Sequence, residues 1–313
     1  MVKAAACQIT STDDVDRNIR ISEEVIRGAS QDGARVIFLP EAADYLTGDA
    51  HKGYLMSGTL KDHKYVLAIR SLAKELKVTI FAGIHERPGE DEENPDGEGS
   101  EKVFNTQVII GQDGEILDSY RKLHMCDLDV KNASSAESGI PNTNPSDEDS
   151  DEPPKEAPTE SSRIMSGNRL CDPLDTEIGK VGLAICYDIR FQEMHLALRR
   201  KGAQIITFPS VFGPKTGKDH WYPLLKAIAI FNQVYVIAPA QAGAHAEDNI
   251  SWGETLIFSP WGNEIGRLSS LVDIPAADRV KPMKSEWVVV DIDLDEVHGS
   301  FKMLRTVRFA TYG

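Results

Sequence analysis

The sequence predicts an α/β protein of two similar layered halves, each a β-sheet covered by helices, packed as a single domain over residues 1–313. Three observations predict it. Apolar strand-like runs alternate with helical patterns, the order that lays helices on sheet faces. Two segments 169 residues apart, 33–42 and 202–211, share the pattern Gly-Ala-x-Val/Ile-Ile-x-Leu/Phe-Pro. The chain of 313 residues is 41% hydrophobic and 27% charged, enough to bury a large core without staples.

The elements follow in order. Residues 1–9 read as a short strand, and 36–39 as an apolar strand ended by Pro40. Over 62–77, Tyr65, Ile69, Leu72, Ala73 and Leu76 recur at helical spacing and line one face. Residues 78–84 read as a buried strand. Residues 103–110 and 116–120 flank Gly111-Gln112-Asp113-Gly114, a hairpin signal. Further strands are expected at 180–185, 204–208, 234–238, 255–258 and 287–292, with a turn at 259–263 between two strands. In each copy of the repeat a helical stretch leads into a buried strand that ends at a Pro. Sites in such sheets gather past the carboxyl ends of strands, which would set Glu41 and Ser210 at the rim of one cleft. Chance similarity of two Gly-Ala-strand-Pro segments is the alternative.

The net charge of −15 is concentrated. Residues 90–101 hold seven acids and no Lys or Arg; residues 146–160 hold seven against Lys155, so these stretches carry 13 of the 15 net charges. Acidic loops are therefore expected near 87–101 and 132–162, the second with a disordered spacer over 139–158. The nearly neutral remainder has no basic patch, which argues against nucleic acid. No apolar run is long enough to span a membrane. The N-terminus lacks the pattern of a secretory signal or transit peptide. Four cysteines without a close pair suggest reduced thiols and a cytoplasmic location.

Cys186 ends an apolar strand and opens a helical pattern. A thiol there would be exposed at the sheet edge, with its pKa lowered by a helix N-terminus; a buried structural cysteine is the alternative. Glu41 ends a strand just after Pro40, where an unpaired carboxylate is rarely core; a loop surface charge is the alternative. Lys122 follows the strand at 116–120 and could equally be solvated. His85, His124 and His220 are candidate bases for a Cys–His pair, and spacing does not choose among them. No metal-ligand spacing, phosphate-cradling loop or dinucleotide fingerprint is present.

Together these segments resemble the nitrilase-like carbon–nitrogen hydrolase superfamily. Phe38-Leu39-Pro40-Glu41-Ala42 is similar to its glutamate motif. Arg121-Lys122-Leu123-His124-Met125-Cys126-Asp127 is similar to its lysine motif, and Ile185-Cys186-Tyr187-Asp188-Ile189-Arg190-Phe191 to its cysteine motif. The resemblance runs from Ala4 to about Ile292. Asp44-Tyr45-Leu46 and the wording around Cys126 resemble the eukaryotic amidase branch, which holds deaminated glutathione amidases and ω-amidases. The resemblance implies a four-layer α-β-β-α sandwich and catalysis by Glu41, Lys122 and Cys186. It also implies an assisting glutamate, for which Glu160 fits the family spacing better than its rival Glu137. Tyr187, Arg190, Phe191, Ser210 and Thr216 become candidate substrate-binding residues. No metal or organic cofactor is implied; a homodimer or larger homo-oligomer is.

The implied chemistry is hydrolysis of a small-molecule amide to acid plus ammonia. Glu41 takes the thiol proton, the Cys186 thiolate attacks the carbonyl, and Lys122 with the Tyr187 N–H stabilises the oxyanion. Water activated by Glu41 then cleaves the thioester. Deaminated glutathione is the substrate the branch favours, with α-keto acid amides as the alternative. The chain departs from the family pattern at Ile228, Phe231 and Glu254 and in the ending over 304–309. Those departures keep a non-catalytic binding protein on the same scaffold in view.

Overall fold

The computed structural model describes residues 1–89, 92, 97, 99–127, 159–247, 249–297 and 299. Glu137, the spacer at 139–158, most of the second acidic stretch and the ending over 304–309 lie outside the described residues.

Two sheets form the middle of the molecule. In the first, β1 (Val2–Gln8), β2 (Val36–Phe38), β3 (Thr79–Glu86), β4 (Val103–Ile110) and β5 (Ile116–Arg121) lie side by side. β6 (Ile164–Met165) adds to β4. In the second, β8 (Gly179–Leu183), β9 (Ile205–Thr207), β10 (Tyr235–Ala238), β13 (Leu256–Phe258) and β14 (Glu264–Arg267) do the same. Each sheet has three parallel strands followed by two antiparallel ones. Each also gains one antiparallel strand outside the first parallel strand: β7 (Leu174–Thr176) on β8, and β15 (Glu286–Ile292) on β1. The sequence repeat falls on β2 and β9, which hold the same place in the two sheets. A hairpin, β11 (Ala242–Ala246) with β12 (Asn249–Trp252), stands apart.

The two-residue period of a strand sorts side chains to opposite faces. In the first sheet Ala4, Ala6, Val36, Phe38, Phe81 and Ile109 face the second sheet and join its core. Ala5, Cys7, Ile37, Leu39, Ile80 and Ile110 face the other way. There they meet α1 (Val15–Gln31) and, after the short α2 (Ala50–Met56), α3 (Lys64–Leu76); the buried stripes of α1 and α3 include Val25, Ile26, Tyr65 and Ile69. Met194 and Leu198 of α4 (Gln192–Arg200), with Leu225 and Ala229 of α5 (Tyr222–Asn232), cover the second sheet. The result is a four-layer α-β-β-α sandwich of two similar halves.

The strand expectations hold to within a residue or two at each end, and the helix at 62–77 is α3. α1 is an element the periodicity did not expose, because Asn18 and Ser22 sit on its buried face. Both are satisfied there: Asn18 donates to Thr12 O at 2.7 Å and Asp44 O at 2.9 Å, and Ser22 accepts from the Tyr65 hydroxyl at 2.7 Å. The β11–β12 hairpin, rich in Ala and Gly, was likewise not anticipated. Glu254 is buried by Arg267 and Trp252 and lies outside the cavity described below.

Gly83 sets the depth of the Glu41 loop. Its N–H donates to Pro40 O at 3.2 Å and its carbonyl accepts from Ala43 N at 2.8 Å. A Cβ on Gly83 would lie 2.5 Å from the Glu41 Cα and 2.7 Å from Pro40 O. Gly83→Ala is therefore expected to destabilise the fold by about 1–3 kcal/mol through overpacking. Denaturant melts check this, and a midpoint equal to wild type would show that the loop yields freely.

Candidate active site

The site lies between the carboxyl ends of the strands, where both halves contribute. Glu41 follows β2 by three residues, and Ala42 turns the chain with a φ of 54°. Gln241 holds this turn by donating to Glu41 O at 2.9 Å and Ala42 O at 3.2 Å. The Glu41 side chain is buried and accepts three hydrogen bonds, which leaves acceptor capacity on Oε2. Its Oε1 accepts from Asn105 Nδ2 at 2.6 Å and Lys122 Nζ at 3.2 Å; its Oε2 accepts from Val211 N at 2.7 Å.

Lys122 follows β5 directly and is only 1% exposed. Besides Glu41 it donates to Glu160 Oε1 at 2.6 Å, and Glu160 Oε2 accepts from Cys126 N at 2.6 Å. Burial pulls the ammonium pKa down, but Glu41, Cys186 and Glu160 outweigh it and hold the pKa well above the usual lysine range. Lys122 is a buried cation between two carboxylates, and the reading of it as a solvated surface residue is excluded.

Cys186 opens the 3-10 turn Cys186–Arg190, three residues beyond the end of β8, with a φ of 45°. Left-handed backbone is costly for a residue with a side chain and persists where surroundings over-determine it. Here Cys186 N donates to Pro209 O at 3.0 Å, and Asp188 braces the turn from below. Asp188 Oδ2 accepts from Ile185 N at 2.9 Å and the Tyr120 hydroxyl at 2.8 Å; Oδ1 meets His124 Nδ1 at 2.6 Å. The lysine segment and the cysteine turn are thus bolted to one buried carboxylate.

The expected pKa-lowered, exposed thiol is corrected by the structure. Cys186 is 7% exposed, and its pKa is pushed well above the ordinary thiol value. Burial is the first cause and the Glu41 charge the second; Lys122 and the Val211 contact work against them. Two carboxylates face one ammonium, so a thiolate would add a second uncompensated negative charge. Cys186 Sγ lies 3.6 Å from Val211 O, to which it donates. The Val211 peptide therefore bridges the pair: its N–H locks Glu41 and its carbonyl holds the thiol.

A cavity of about 330 Å³ opens over this group. Glu41, Lys122, Cys186 and Glu160 all line it, with Asn105, Tyr45, Tyr54, His85 and Arg163. The five candidate substrate-binding residues do not line it. Ser210 is buried and donates to Phe208 O at 3.0 Å, because the chain turns out of β9 so that the next peptide reaches the cavity. Thr216 donates to Gly213 O at 3.4 Å. Arg190 lies 3.2 Å from His220 Nδ1 and over the Tyr187 ring, and Phe191 stacks on His124 at 3.5 Å. Among the three histidines, His85 lines the cavity but is held by Asp44 at 3.0 Å. Among the described residues the thiol donates to the Val211 carbonyl, not to a histidine.

Sequence reasoning missed Asn105, Val211 and Arg163. Asn105 had a signal: β4 reads VFNTQVII and is buried throughout, and a polar residue inside such a run needs a partner. Val211 acts through its backbone and had none.

Residues 3–274 match the carbon–nitrogen hydrolase family model, and the chain belongs to that family. It is 37% identical over 267 residues to human deaminated glutathione amidase, covering 85% of this chain and 72% of that protein. Among solved structures, Caenorhabditis elegans NitFhit matches with a TM-score of 0.77 and 31% identity, covering 97% of this chain. The chain spans 63% of that fusion protein. Saccharomyces cerevisiae Nit3, described as a member of branch 10 of the nitrilase superfamily, matches with a TM-score of 0.74. At 22% identity, over 98% of this chain and 95% of that one, it supports the fold alone.

The electrostatics give a signed expectation. Removing the Glu41 charge takes away a group that raises the Cys186 pKa, so Glu41→Gln lowers it. Removing the Lys122 cation raises it further, so Lys122→Met moves it the other way. Thiolate absorbance titrations referenced to Cys186→Ser check the order, and a reversed order would show that these charges do not govern the thiol.

Proposed function

We propose that the chain is an amidase that cleaves a small-molecule amide through a Cys186 thioester, with deaminated glutathione as the substrate. The observation that carries the reading is the buried Glu41–Lys122–Cys186 group opening into one cavity, on a chain related to deaminated glutathione amidases. Glu41 removes the thiol proton as Sγ attacks the carbonyl carbon. The attack is what makes the negative charge tolerable, because it passes from sulfur to the carbonyl oxygen. Lys122 and the N–H of Tyr187, one of the N–H groups a helical start leaves unpaired, stabilise that oxygen. Glu41 returns the proton to the leaving nitrogen, giving ammonia from a primary amide and an amine from a secondary one. Water activated by Glu41 then releases the acid. Glu160 holds Lys122 from the side away from Glu41, as a positioning residue.

The whole chain acts as one catalytic unit with the acidic stretches as insertions, a reading the match over 3–274 supports. Four free thiols fit a reducing cytoplasm. Phe231, 74% exposed, with Ile230 and Trp261 forms an apolar face, and Gly262 lies against Ile230. With 13 of the 15 net charges confined to the acidic stretches, little charge opposes a second copy on that face. We read the working form as a homodimer. Light scattering tests it: Phe231→Glu should shift a dimer towards monomer, and a wild-type monomer would overturn it.

A hydrolysis panel with products identified by mass tests the activity. Release from deaminated glutathione should exceed release from α-ketoglutaramate; the reverse order assigns the chain to ω-amidase chemistry. Lys122→Ala and Cys186→Ala should each lose turnover by orders of magnitude; removal of one oxyanion donor alone costs about 10²–10³. Near wild-type turnover in Lys122→Ala would overturn the mechanism.

A further inference from the structure

Among the described residues, the cavity wall carries one cation that the proposed chemistry leaves unused. Its carboxylates are engaged: Glu41 and Glu160 by Lys122, Glu101 by His51 at 2.8 Å, and Asp49 by Lys52 N at 3.0 Å. Lys122 is paired twice, and His85 is held by Asp44. Arg163 is different. It lines the cavity, is half-buried, and meets no carboxylate among the described residues.

Its position is well defined. Arg163 N donates to Glu160 O at 3.1 Å, and Arg163 O accepts from Val103 N at 3.1 Å, so the backbone is tied on both sides. The guanidinium makes one hydrogen bond, from Nη1 to Thr47 O at 3.4 Å. Among the described residues the rest of its donor fork has no partner. Tyr45 and Tyr54 line the same cavity. A planar, permanently charged fork beside aromatic walls is suited to a carboxylate, which it can bind through two parallel hydrogen bonds.

The charge of the Glu41–Lys122–Glu160 group sets the orientation. Glu41 and Glu160 against Lys122 leave the reacting end with an excess of negative charge, which repels a substrate carboxylate. Arg190, the arginine that the sequence suggested for substrate, lies outside the cavity beside His220 and Tyr187.

We infer that Arg163 is the specificity-determining residue of the site. It binds a carboxylate of the substrate while the scissile amide lies over Cys186, so the preferred substrates are linear amides that carry an acid group away from the reacting carbonyl. This rests on the amidase reading, whose substrates already carry acid groups, and adds the residue that anchors one of them.

The test compares monoamides of linear dicarboxylic acids with their methyl esters, which are nearly the same shape and uncharged. Wild type should prefer the acid by about 10- to 100-fold in kcat/KM, the range of a hydrogen-bonded charge contact. Arg163→Gln should collapse that ratio towards one, mainly through KM, since the contact is made in ground and transition states alike. Arg163→Lys should restore part of it. An acid-to-ester ratio unchanged in Arg163→Gln would overturn the inference while leaving the amidase reading intact. If wild type hydrolyses neither this panel nor deaminated glutathione, the amidase reading fails instead. Calorimetric binding of the product diacid to Cys186→Ala, with and without Arg163→Gln, then decides the role of Arg163. Equal affinity would overturn it, and an affinity lost with the arginine would sustain it.

Discussion

The site depends on one buried ammonium. Lys122 is out of water, and an unpaired charge there would be untenable, since breaking a buried pair costs about 3–5 kcal/mol. Glu41 on one side and Glu160 on the other make it stable. The same contacts fix the two carboxylates, because each has Lys122 and a backbone N–H among its donors. Glu41 adds Asn105. Nothing in this group is free to turn towards solvent, so its geometry is set before a substrate arrives.

That arrangement is possible because the molecule is double. β2 and β9 occupy equivalent places in the two sheets and end in the same Pro-terminated run. From the first run comes the Glu41 carboxylate, and from the second the Val211 peptide that receives it. The cysteine turn leaves the neighbouring strand β8 and hydrogen-bonds to Pro209 of that second run. Asp188 then joins the turn to the lysine segment through His124 and Tyr120. Glu41 and Lys122 stand just past the ends of β2 and β5, and Cys186 three residues past β8, so strand ends position the site's side chains.

The thiol, the nucleophile of the proposed mechanism, is held in its protonated form. Burial and two carboxylates keep the proton on sulfur, and the left-handed backbone at Cys186 keeps sulfur in the cavity. A protonated nucleophile beside a fixed base is guarded against adventitious oxidation and alkylation, which need the thiolate. In the proposed mechanism, reaction begins when a carbonyl oxygen enters the field of Lys122 and can take the charge that sulfur releases.

The sequence by itself determined the layered α/β plan and the repeat, and it singled out Glu41, Lys122 and Cys186, which the fold brings to one cavity. Those features are local: strand runs, a Pro stop, a helix stripe over 62–77 and motifs within a few residues. The helix at 15–31 escaped because its buried face uses Asn18 and Ser22, whose partners Thr12, Asp44 and Tyr65 come partly from elsewhere in the chain. Tertiary structure decided that Val211 acts through its peptide, that Ser210 and Thr216 turn away from the cavity, and that Arg163 faces into it. It also decided the thiol's protonation, reversing what a strand-to-helix turn suggests in isolation. The reason is physical: pKa and side-chain reach depend on burial and on charges brought in from distant positions. Spacing along the chain carries neither.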